Sequence, residues 1–228
     1  MPFDTAGAHA LEDTTLSLDE ALQIIGGLSK PSKMPGWGWS IPAQNCQTGR
    51  KLAKVPGSIC SICYAMKGNY VFPNVQQAMQ RRLRASEDPR FVGAFIRALR
   101  LKIQNQRKPE DRFRWMDSGD LQSVEMLSKI VLIAYGTPEV RHYLPTKEAR
   151  LVGQYLNNGG VIPANLFLKV SHPMIGQTFK RRPSDQDYST VNAAGDPTLF
   201  NCPAHSQGNK CLDCDACWQP GNINYEAH

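Results

Sequence analysis

Residues 112 to 173 alternate short apolar runs with longer segments of helical periodicity, and this alternation restricts the fold of the 228-residue chain more than any other feature. The pattern predicts strands over 112–120, where the strand ends in a polar turn, and over 139–147 and 164–173, with helices over 123–136 and 147–160. Strands that alternate with helices of this length pair in parallel through right-handed crossovers. We therefore expect an α/β fold, either a partial (β/α) barrel or an open parallel sheet.

Polar residues follow each of these predicted strands. The carboxyl ends of parallel strands meet at one edge of the sheet, where ligands bind. The residues expected together at this edge are Asp117, Ser118, Asp120, Thr146, Lys147, Ser171 and His172, of which Asp117, Ser118, Asp120, Lys147 and His172 are the candidate catalytic residues. The two carboxylates around Ser118-Gly119 could bind a cation, a ribose diol or a substrate amine. The structural alternative is a turn in which Asp120 or Ser123 caps the next helix.

Four of the seven cysteines lie close together near the end of the sequence. Cys211, Cys214 and Cys217 are spaced two residues apart, and Cys202 precedes them. Four thiolates form one complete metal site, either a zinc tetrahedron or a four-cysteine iron–sulfur cluster, and the continuous C-x2-C-x2-C run is typical of a [4Fe-4S] cluster. We expect a cysteine-rich, metal-binding C-terminal tail.

The other three cysteines, Cys46, Cys60 and Cys63, suggest a second site. A cubane cluster held by three thiolates leaves one iron open to substrate or cofactor, as in enzymes that bind S-adenosylmethionine and cleave it to a radical. The alternative is a zinc ion held by these cysteines and a histidine. One or two clusters are compatible with the spacing, since the two groups of cysteines could also share one site. Of the histidines, His142 is predicted to be a packed strand residue, and His205 could replace one thiolate in a zinc site.

The rest of the chain shows helical periodicity in three places and irregular sequence elsewhere. Helices are predicted over 16–28, capped by Ser17, from Asn74 after Pro73, and from Asp88 with Pro89 in its first turn. The Pro- and Gly-rich segment 29–44 is predicted to be a loop, as is the polar segment 177–200. We expect three parts, namely an N-terminal helical segment (1–31), an α/β core that includes the three-cysteine loop (32–200), and the metal-binding tail (201–228).

The charge of the chain favours anionic partners. The formal net charge is +6, and basic residues concentrate at 81–84, 97–102 and 180–182. Basic helices of this kind could contact nucleic acid, although a solvated helix face has the same pattern. No apolar stretch approaches the roughly eighteen residues of a membrane span, and no signal peptide is recognisable, so we expect a cytoplasmic protein with no membrane partner. Acyl-transfer, P-loop and Rossmann motifs are missing from the sequence.

Several motifs together resemble the gene product 88 family of phage proteins. They are SKMPG, CQTGRKLAKVPGSICSICYAMKGNYVFPNV, FRWMDSGDLQS, LPTKE, LKVS, CPA and KCLDCDACW, and the resemblance runs from about Ser32 to Cys217. It implies a phage origin, and therefore the cytoplasm of the host cell, more than it implies an activity.

A more distant resemblance is to radical S-adenosylmethionine enzymes, which have a parallel partial barrel, a three-cysteine loop ending in an aromatic residue, here Tyr64, and a Gly-rich acidic turn after an early strand. This resemblance implies that Cys46, Cys60 and Cys63 hold the cleaving cluster, that Ser118, Gly119 and Asp120 face the methionine end of the cofactor, and that the tail cysteines hold an auxiliary cluster. The leading hypothesis is an iron–sulfur enzyme of this type, with nucleic acid as a candidate substrate. The alternative is a non-catalytic nucleic-acid-binding protein whose tail is held by zinc or a cluster.

Overall fold

A computed structural model describes residues 11–105, 110–181, 183–192 and 195–226 of the chain. The six α-helices in these ranges are α1 Leu18–Ile24, α2 Gln47–Leu52, α3 Pro73–Ala85, α4 Phe91–Gln104, α5 Val124–Gly136 and α6 Ala149–Asn157. The strands are β1 Trp37–Trp39, β2 Arg112–Trp115, β3 Arg141–Thr146, β4 Leu166–Ser171, β5 Asp187–Val191, β6 Phe200–Asn201 and β7 Ile223–Tyr225.

All seven strands join one sheet in the order β1-β2-β3-β4-β5-β7-β6, and every pair is parallel. The predicted α/β class is therefore confirmed. The first five strands follow one another in chain order, as in a partly wound barrel, while β1 and β6 form the two edges of an open sheet.

Alternate side chains of the central strands build two different faces. Phe113 and Trp115 of β2 point to the same side as Leu144 of β3 and Leu168 of β4, and they join a buried core with apolar residues of α4, α5 and α6. Within this core, Phe95 of α4 lies 4.8 Å from Trp115, measured between ring centroids. The alternate residues of the same strands form the opposite face. This face is much more polar and includes Arg114, Tyr143 and Lys169.

His142 lies on the apolar face and is fully buried, which agrees with its prediction as a packed strand residue. Its Nδ1 accepts a hydrogen bond of 3.2 Å from the indole of Trp115, and its Nε2 is 2.8 Å from the hydroxyl of Thr137. Burial lowers the pKa of this imidazole to about 3, so it is neutral near pH 7.

The opposite face of the sheet is covered by the tail. Trp218 is buried, donates from its indole to the carbonyl of Phe113 at 2.9 Å, and packs edge-on against Tyr143. The fully buried Lys169 of β4 donates to the carbonyls of Gln219 and Gly221 at 2.8 and 2.6 Å. Since β7 also lies inside the sheet, the tail is an integral layer of the fold. The boundary between the core and the tail at residue 201 stays a prediction.

Two of the predicted loops contain strands. The segment 29–44 includes β1, whose backbone pairs with β2 although only three residues take part. The segment 177–200 includes β5, which joins β4 to β7. The third helix also differs slightly, since α4 begins at Phe91 and Asp88 binds the backbone and guanidinium of Arg90 rather than capping a helix that starts at Pro89. In the described part of the chain, no helix is both long and apolar enough to cross a membrane.

Candidate functional site

A cavity of about 290 Å³ lies at the carboxyl ends of β2, β3 and β4. It collects the turn after β2, the residues after β3, the end of β4 and the three-cysteine segment. Its lining includes Cys46, Cys60, Cys63, Tyr64, Arg114, Asp117, Ser118, Gly119, Asp120, Thr146, Lys147 and Ser171. Most of the residues that were expected at this edge therefore do meet there, and the three cysteines join them.

The turn after β2 has a constrained backbone. Met116 has a φ of 54°, which is uncommon for a residue with a side chain, and Gly119 has a φ of 79°. A Cβ added at Gly119 would lie 2.7 Å from the carbonyl oxygen of Ile41 and 2.3 Å from its side chain, so this position has no room for one. Strained backbone is typical of functional sites, where the surrounding structure holds it in place.

Asp117 is held firmly but keeps one oxygen free within the described residues. Its Oδ2 accepts a hydrogen bond of 2.8 Å from the hydroxyl of Tyr70, and its backbone carbonyl accepts one of 2.5 Å from Tyr64. Its Oδ1 is buried and has no hydrogen-bond partner there. The same holds for Ser118 Oγ and Arg114 Nε, which belong to the same cavity lining. Buried polar groups without partners are rare, so these three atoms distinguish this wall of the cavity.

Asp120 has a different role from Asp117. Its Oδ1 accepts from the hydroxyl of Thr146 at 2.5 Å and from the backbone of Leu121 at 2.8 Å, and its Oδ2 accepts from the backbone of Lys147 at 2.8 Å. Burial raises the pKa of this carboxyl to about 6, against the opposing effect of these hydrogen bonds. Asp120 therefore joins the ends of β2 and β3, and the predicted helix cap is supplied by Ser123, which accepts from Met126.

The three-cysteine segment is tied to the ends of three strands. Tyr64 and Tyr70 bind Asp117 after β2, as described above. After β3, the buried carboxylate of Glu148 accepts from both the backbone and the hydroxyl of Thr48, each at 2.7 Å. After β4, the backbone of Ile59 donates to Pro173 at 2.9 Å. Glu148 and Thr48 were not predicted; Glu148 directly follows Lys147, but nothing in the spacing indicates a partner one hundred residues away.

Gly49 leaves space between two of the three thiols. A Cβ added there would lie 3.5 Å from the sulfur of Cys60 and 3.6 Å from that of Cys46. Burial raises the pKa of the Cys46 thiol to about 12, helped by the nearby carboxylate of Asp120. Burial also raises the pKa of Cys60, while the ammonium of Lys147 opposes that shift. The side chain of Lys147 thus places a positive charge near the thiol of Cys60, while its backbone N–H donates to Asp120.

One tail cysteine, Cys217, lies behind the other wall of the cavity. The sulfur of Cys217 is 3.3 Å from the hydroxyl of Tyr225, which is 2.8 Å from the hydroxyl of Tyr143. Both tyrosines line the cavity. Burial raises the pKa of the Cys217 thiol to about 11, and the hydrogen bond to Tyr225 and the positive charge of Arg114 oppose that shift. The guanidinium of Arg114 lies over the ring of Tyr143, 5.4 Å from its centroid, and Arg114 lines the same cavity.

All seven cysteines are free thiols. Within the described ranges, no group of three or more His, Cys, Asp or Glu side chains is arranged to hold a metal ion. The metal-binding role of both groups therefore remains a proposal.

Two predicted site histidines lie apart from the cavity lining. His172 is buried, contacts the backbone of Met174 through its Nδ1 at 3.1 Å, and packs against the ring of Phe179. His205 is 3.8 Å from a carboxylate oxygen of Glu226. Because side chains alternate along a strand, Ser171 faces the cavity and His172 faces away from it.

Several basic side chains of the predicted nucleic-acid-binding helices make internal contacts. Arg82 donates to the carbonyl of Gly27, and Arg97 and Arg100 both bind Glu12. Arg100 also binds Glu139. Arg182 of the third basic group lies outside the described residues. The helices α3 and α4 thus use much of their positive charge to attach the N-terminal segment.

A larger groove of about 560 Å³ lies between α1 and α3 and is lined in part by Glu20, Arg81 and Arg84. It is an open surface groove, whereas the cavity at the strand ends collects the thiols and the unpartnered buried atoms. We therefore take the smaller cavity as the candidate site.

Comparison with known proteins gives one match. The family model described as gene product 88 matches residues 11–220. No curated protein and no solved structure matches the chain.

Proposed function

The chain belongs to the gene product 88 family of phage proteins, and we propose that it is an iron–sulfur enzyme of radical-SAM-like type, with Cys46, Cys60 and Cys63 as the ligands of a [4Fe-4S] cluster at the strand-end cavity. One observation carries this proposal: three free thiols line the same cavity as three unpartnered buried polar atoms. Thiols supply the cluster ligands, and the polar atoms supply a place for a substrate or cofactor next to them.

The donor set suits a cluster held by three thiolates. Gly49 keeps the space between Cys46 and Cys60 clear of a side chain, and each thiol can turn about a single side-chain bond. Cluster binding requires thiolates, and it must therefore displace the protons that burial favours on Cys46 and Cys60. Lys147 assists at Cys60 because its positive charge favours the thiolate. When bound, a cluster with three protein ligands would supply an open iron and a source of one electron.

The residues of the turn after β2 would bind the second component. Asp117 offers an unpartnered carboxylate oxygen, Ser118 a hydroxyl, and Arg114 an unpartnered guanidinium N–H. A negative and a positive group on one cavity wall suit a zwitterion, such as the amino acid end of S-adenosylmethionine. Asp120 would act as a positioning residue, because both of its oxygens already accept hydrogen bonds.

The tail cysteines, Cys202, Cys211, Cys214 and Cys217, would hold a second, auxiliary cluster. The contacts from Cys217 through Tyr225 to Tyr143 support this, since they connect the tail with the cavity wall. The attachment of the tail by Trp218 and Lys169 equally supports the second candidate function. In that case zinc or a cluster only stabilises the tail, and the protein binds nucleic acid without catalysing a reaction.

The deciding experiment is anaerobic purification followed by iron, sulfide and zinc analysis with a visible absorption spectrum. We expect about eight irons per chain for two clusters, or about four for one. The double variant Cys60→Ser/Cys63→Ser should lose the cavity cluster and keep the tail cluster, and Cys211→Ser/Cys214→Ser should do the reverse. A colourless protein that contains zinc alone would reject the enzyme and favour the second candidate.

The variant Asp117→Asn tests cofactor binding independently of cluster binding. The amide oxygen can still accept the hydrogen bond from Tyr70, so the variant should retain its iron. It should lose binding and reductive cleavage of S-adenosylmethionine, because an NH2 group, which is neutral and a donor, then takes the place of the unpartnered oxygen. Unchanged cleavage by this variant would remove Asp117 from the site.

A further inference from the structure

The three-cysteine segment presents an exposed apolar surface beside the cavity. We call the exposed side chains of residues 50–72 the loop face. Its aromatic members are Tyr64, 57% exposed, and Phe72, 52% exposed, and Ile62, Met66 and Val71 are exposed to a similar degree. Several large apolar side chains exposed on one short segment favour an interaction surface there.

The charged residues of the loop face and of the flanking sequence are all positive. From Ala21 to Ser86 the sequence has nine Lys and Arg residues and no Asp or Glu. Arg50, Lys51, Lys54 and Lys67 of this range are exposed and belong to the loop face itself. Such a surface is complementary to a partner with regularly spaced negative charges.

The combination of cations and exposed aromatic rings favours single-stranded nucleic acid over an acidic protein. Lys and Arg neutralise phosphates, while each aromatic ring offers a platform on which a base can stack. In a duplex the faces of the bases are covered by their neighbours, so such rings have access to them only in an unpaired strand.

Tyr64 connects the loop face with the cavity. Its ring is mostly exposed, yet its hydroxyl is fixed by the carbonyl of Asp117 and its edge lies against Tyr70, with 5.6 Å between the ring centroids. These two contacts orient the ring, and Tyr64 also contributes to the cavity lining. A base stacked on Tyr64 would lie at the mouth of the cavity.

We propose that single-stranded nucleic acid docks on the loop face through Lys51, Lys54 and the rings of Tyr64 and Phe72, and presents one nucleotide to the cavity. The docking stands on the loop face alone, while the role of the presented nucleotide as substrate rests on the function proposed above. This differs from binding through the basic helices, because α3 and α4 use Arg82, Arg97 and Arg100 internally.

The test is fluorescence anisotropy with the purified full chain and a labelled oligothymidylate or oligouridylate of about twenty nucleotides, at several salt concentrations. Lys51→Gln/Lys54→Gln removes two phosphate contacts and should reduce the slope of log K against log salt by about 1.4. Arg81→Gln/Arg84→Gln removes the same charge from exposed positions of α3 and should leave the affinity within twofold. Phe72→Ala should weaken binding roughly tenfold through lost stacking, and Phe72→Tyr should restore it.

Three results would overturn the docking proposal. The first is no binding at low salt. The second is an equal loss of affinity in Lys51→Gln/Lys54→Gln and Arg81→Gln/Arg84→Gln, and the third is stronger binding to a duplex of the same length. Equal competition by polyglutamate together with an unaffected Phe72→Ala would assign the surface to an acidic protein instead. Because iron content is measured separately, a protein that binds the oligonucleotide but holds no iron would contradict the proposed enzyme and leave the docking surface intact.

Discussion

Glu148 accepts two hydrogen bonds from Thr48, one from the backbone N–H and one from the hydroxyl, each 2.7 Å long. These bonds attach the start of α2, and therefore Cys46, to the end of β3. Glu148 is also fixed at its own backbone, where its N–H donates to Thr146 at 3.0 Å. The position of the three-cysteine segment thus depends on a carboxylate that belongs to the strand ends.

Replacing this carboxylate tests that dependence. In Glu148→Gln the charge is lost and one carboxylate oxygen becomes an NH2 group, so two charge-assisted hydrogen bonds from Thr48 are replaced by weaker neutral ones. We expect the free energy of unfolding to fall by about 2 kcal/mol, measured by urea denaturation. Glu125→Gln is the matched control, since that side chain is 77% exposed and its surface ion pair with Lys129 contributes little. Equal effects of the two substitutions would contradict the role given to Glu148.

The carboxyl of Asp120 predicts a pH dependence of stability. Burial raises its folded pKa to about 6 from an ordinary 3.8. Between these values the folded chain holds a proton that the unfolded chain releases, so the contribution of this group is fully present below pH 3.8 and is lost as pH rises through 6. Relative to Asp120→Asn, the native chain should lose about 2 kcal/mol of unfolding free energy between pH 4 and 7.

Urea denaturation of both proteins at pH 4, 5, 6 and 7 measures this difference. Effects of other titrating groups cancel in the comparison, because both chains share them. Parallel pH profiles would show that Asp120 has an ordinary pKa in the folded chain. Asp120→Asn should also be less stable than Asp117→Asn, since Asp120 accepts three hydrogen bonds with its side chain and Asp117 accepts one.

Lys169 should determine how firmly the tail is attached. Lys169→Met keeps the length of the side chain but removes the donor to Gln219 and Gly221. We expect chymotrypsin to cleave after Trp218 faster than in the native chain, where this residue is 1% exposed. The exposed Lys180→Met serves as the control and should not change the cleavage rate. Mass spectrometry of the fragments identifies the site, and an unchanged rate in Lys169→Met would show that other contacts hold the tail.

Gly119 should tolerate alanine much less well than Gly159 does. Both have positive φ values, 79° and 83°, so both substitutions carry a similar backbone cost of about 1 kcal/mol. At Gly159 an added Cβ meets nothing within 4 Å, whereas at Gly119 it overlaps Ile41. The midpoint of thermal unfolding should therefore fall further for Gly119→Ala. Similar shifts for the two variants would mean that the turn after β2 can move away from Ile41.

The sequence allowed the centre of the fold to be predicted better than its edges. The strands β2, β3 and β4 were found because each is followed by a helix with clear periodicity. β1 has three residues between Pro- and Gly-rich flanks. β5 contains the strand-favouring Tyr188, Thr190 and Val191, but it is short and lies in a polar segment, so its signal is weak. Both are strands because neighbouring backbones pair with them, and pairing of this kind cannot be recognised within a single segment.

The sequence likewise predicted where the candidate site lies, but not the contacts that its residues make. The topology placed Asp117 and Asp120 at one edge, but their different roles depend on Tyr70 and Thr146, which are far from them in the sequence. The spacing of Cys46 and Cys60 likewise carries no information about Gly49, which lies next to both sulfur atoms without placing a side chain there. His172 was assigned to the correct end of β4, and the alternation of side chains turned it away from the cavity.

The position of β7 between β5 and β6 has a consequence for synthesis on the ribosome. β6 pairs with no strand other than β7 in the described sheet, and β5 has β4 on one side and β7 on the other. Residues 223–225 must therefore leave the exit tunnel before this end of the sheet can form, whereas β1 to β4 can pair earlier. The cysteines of the tail precede β7 in the chain, so they leave the tunnel before this end of the sheet is complete.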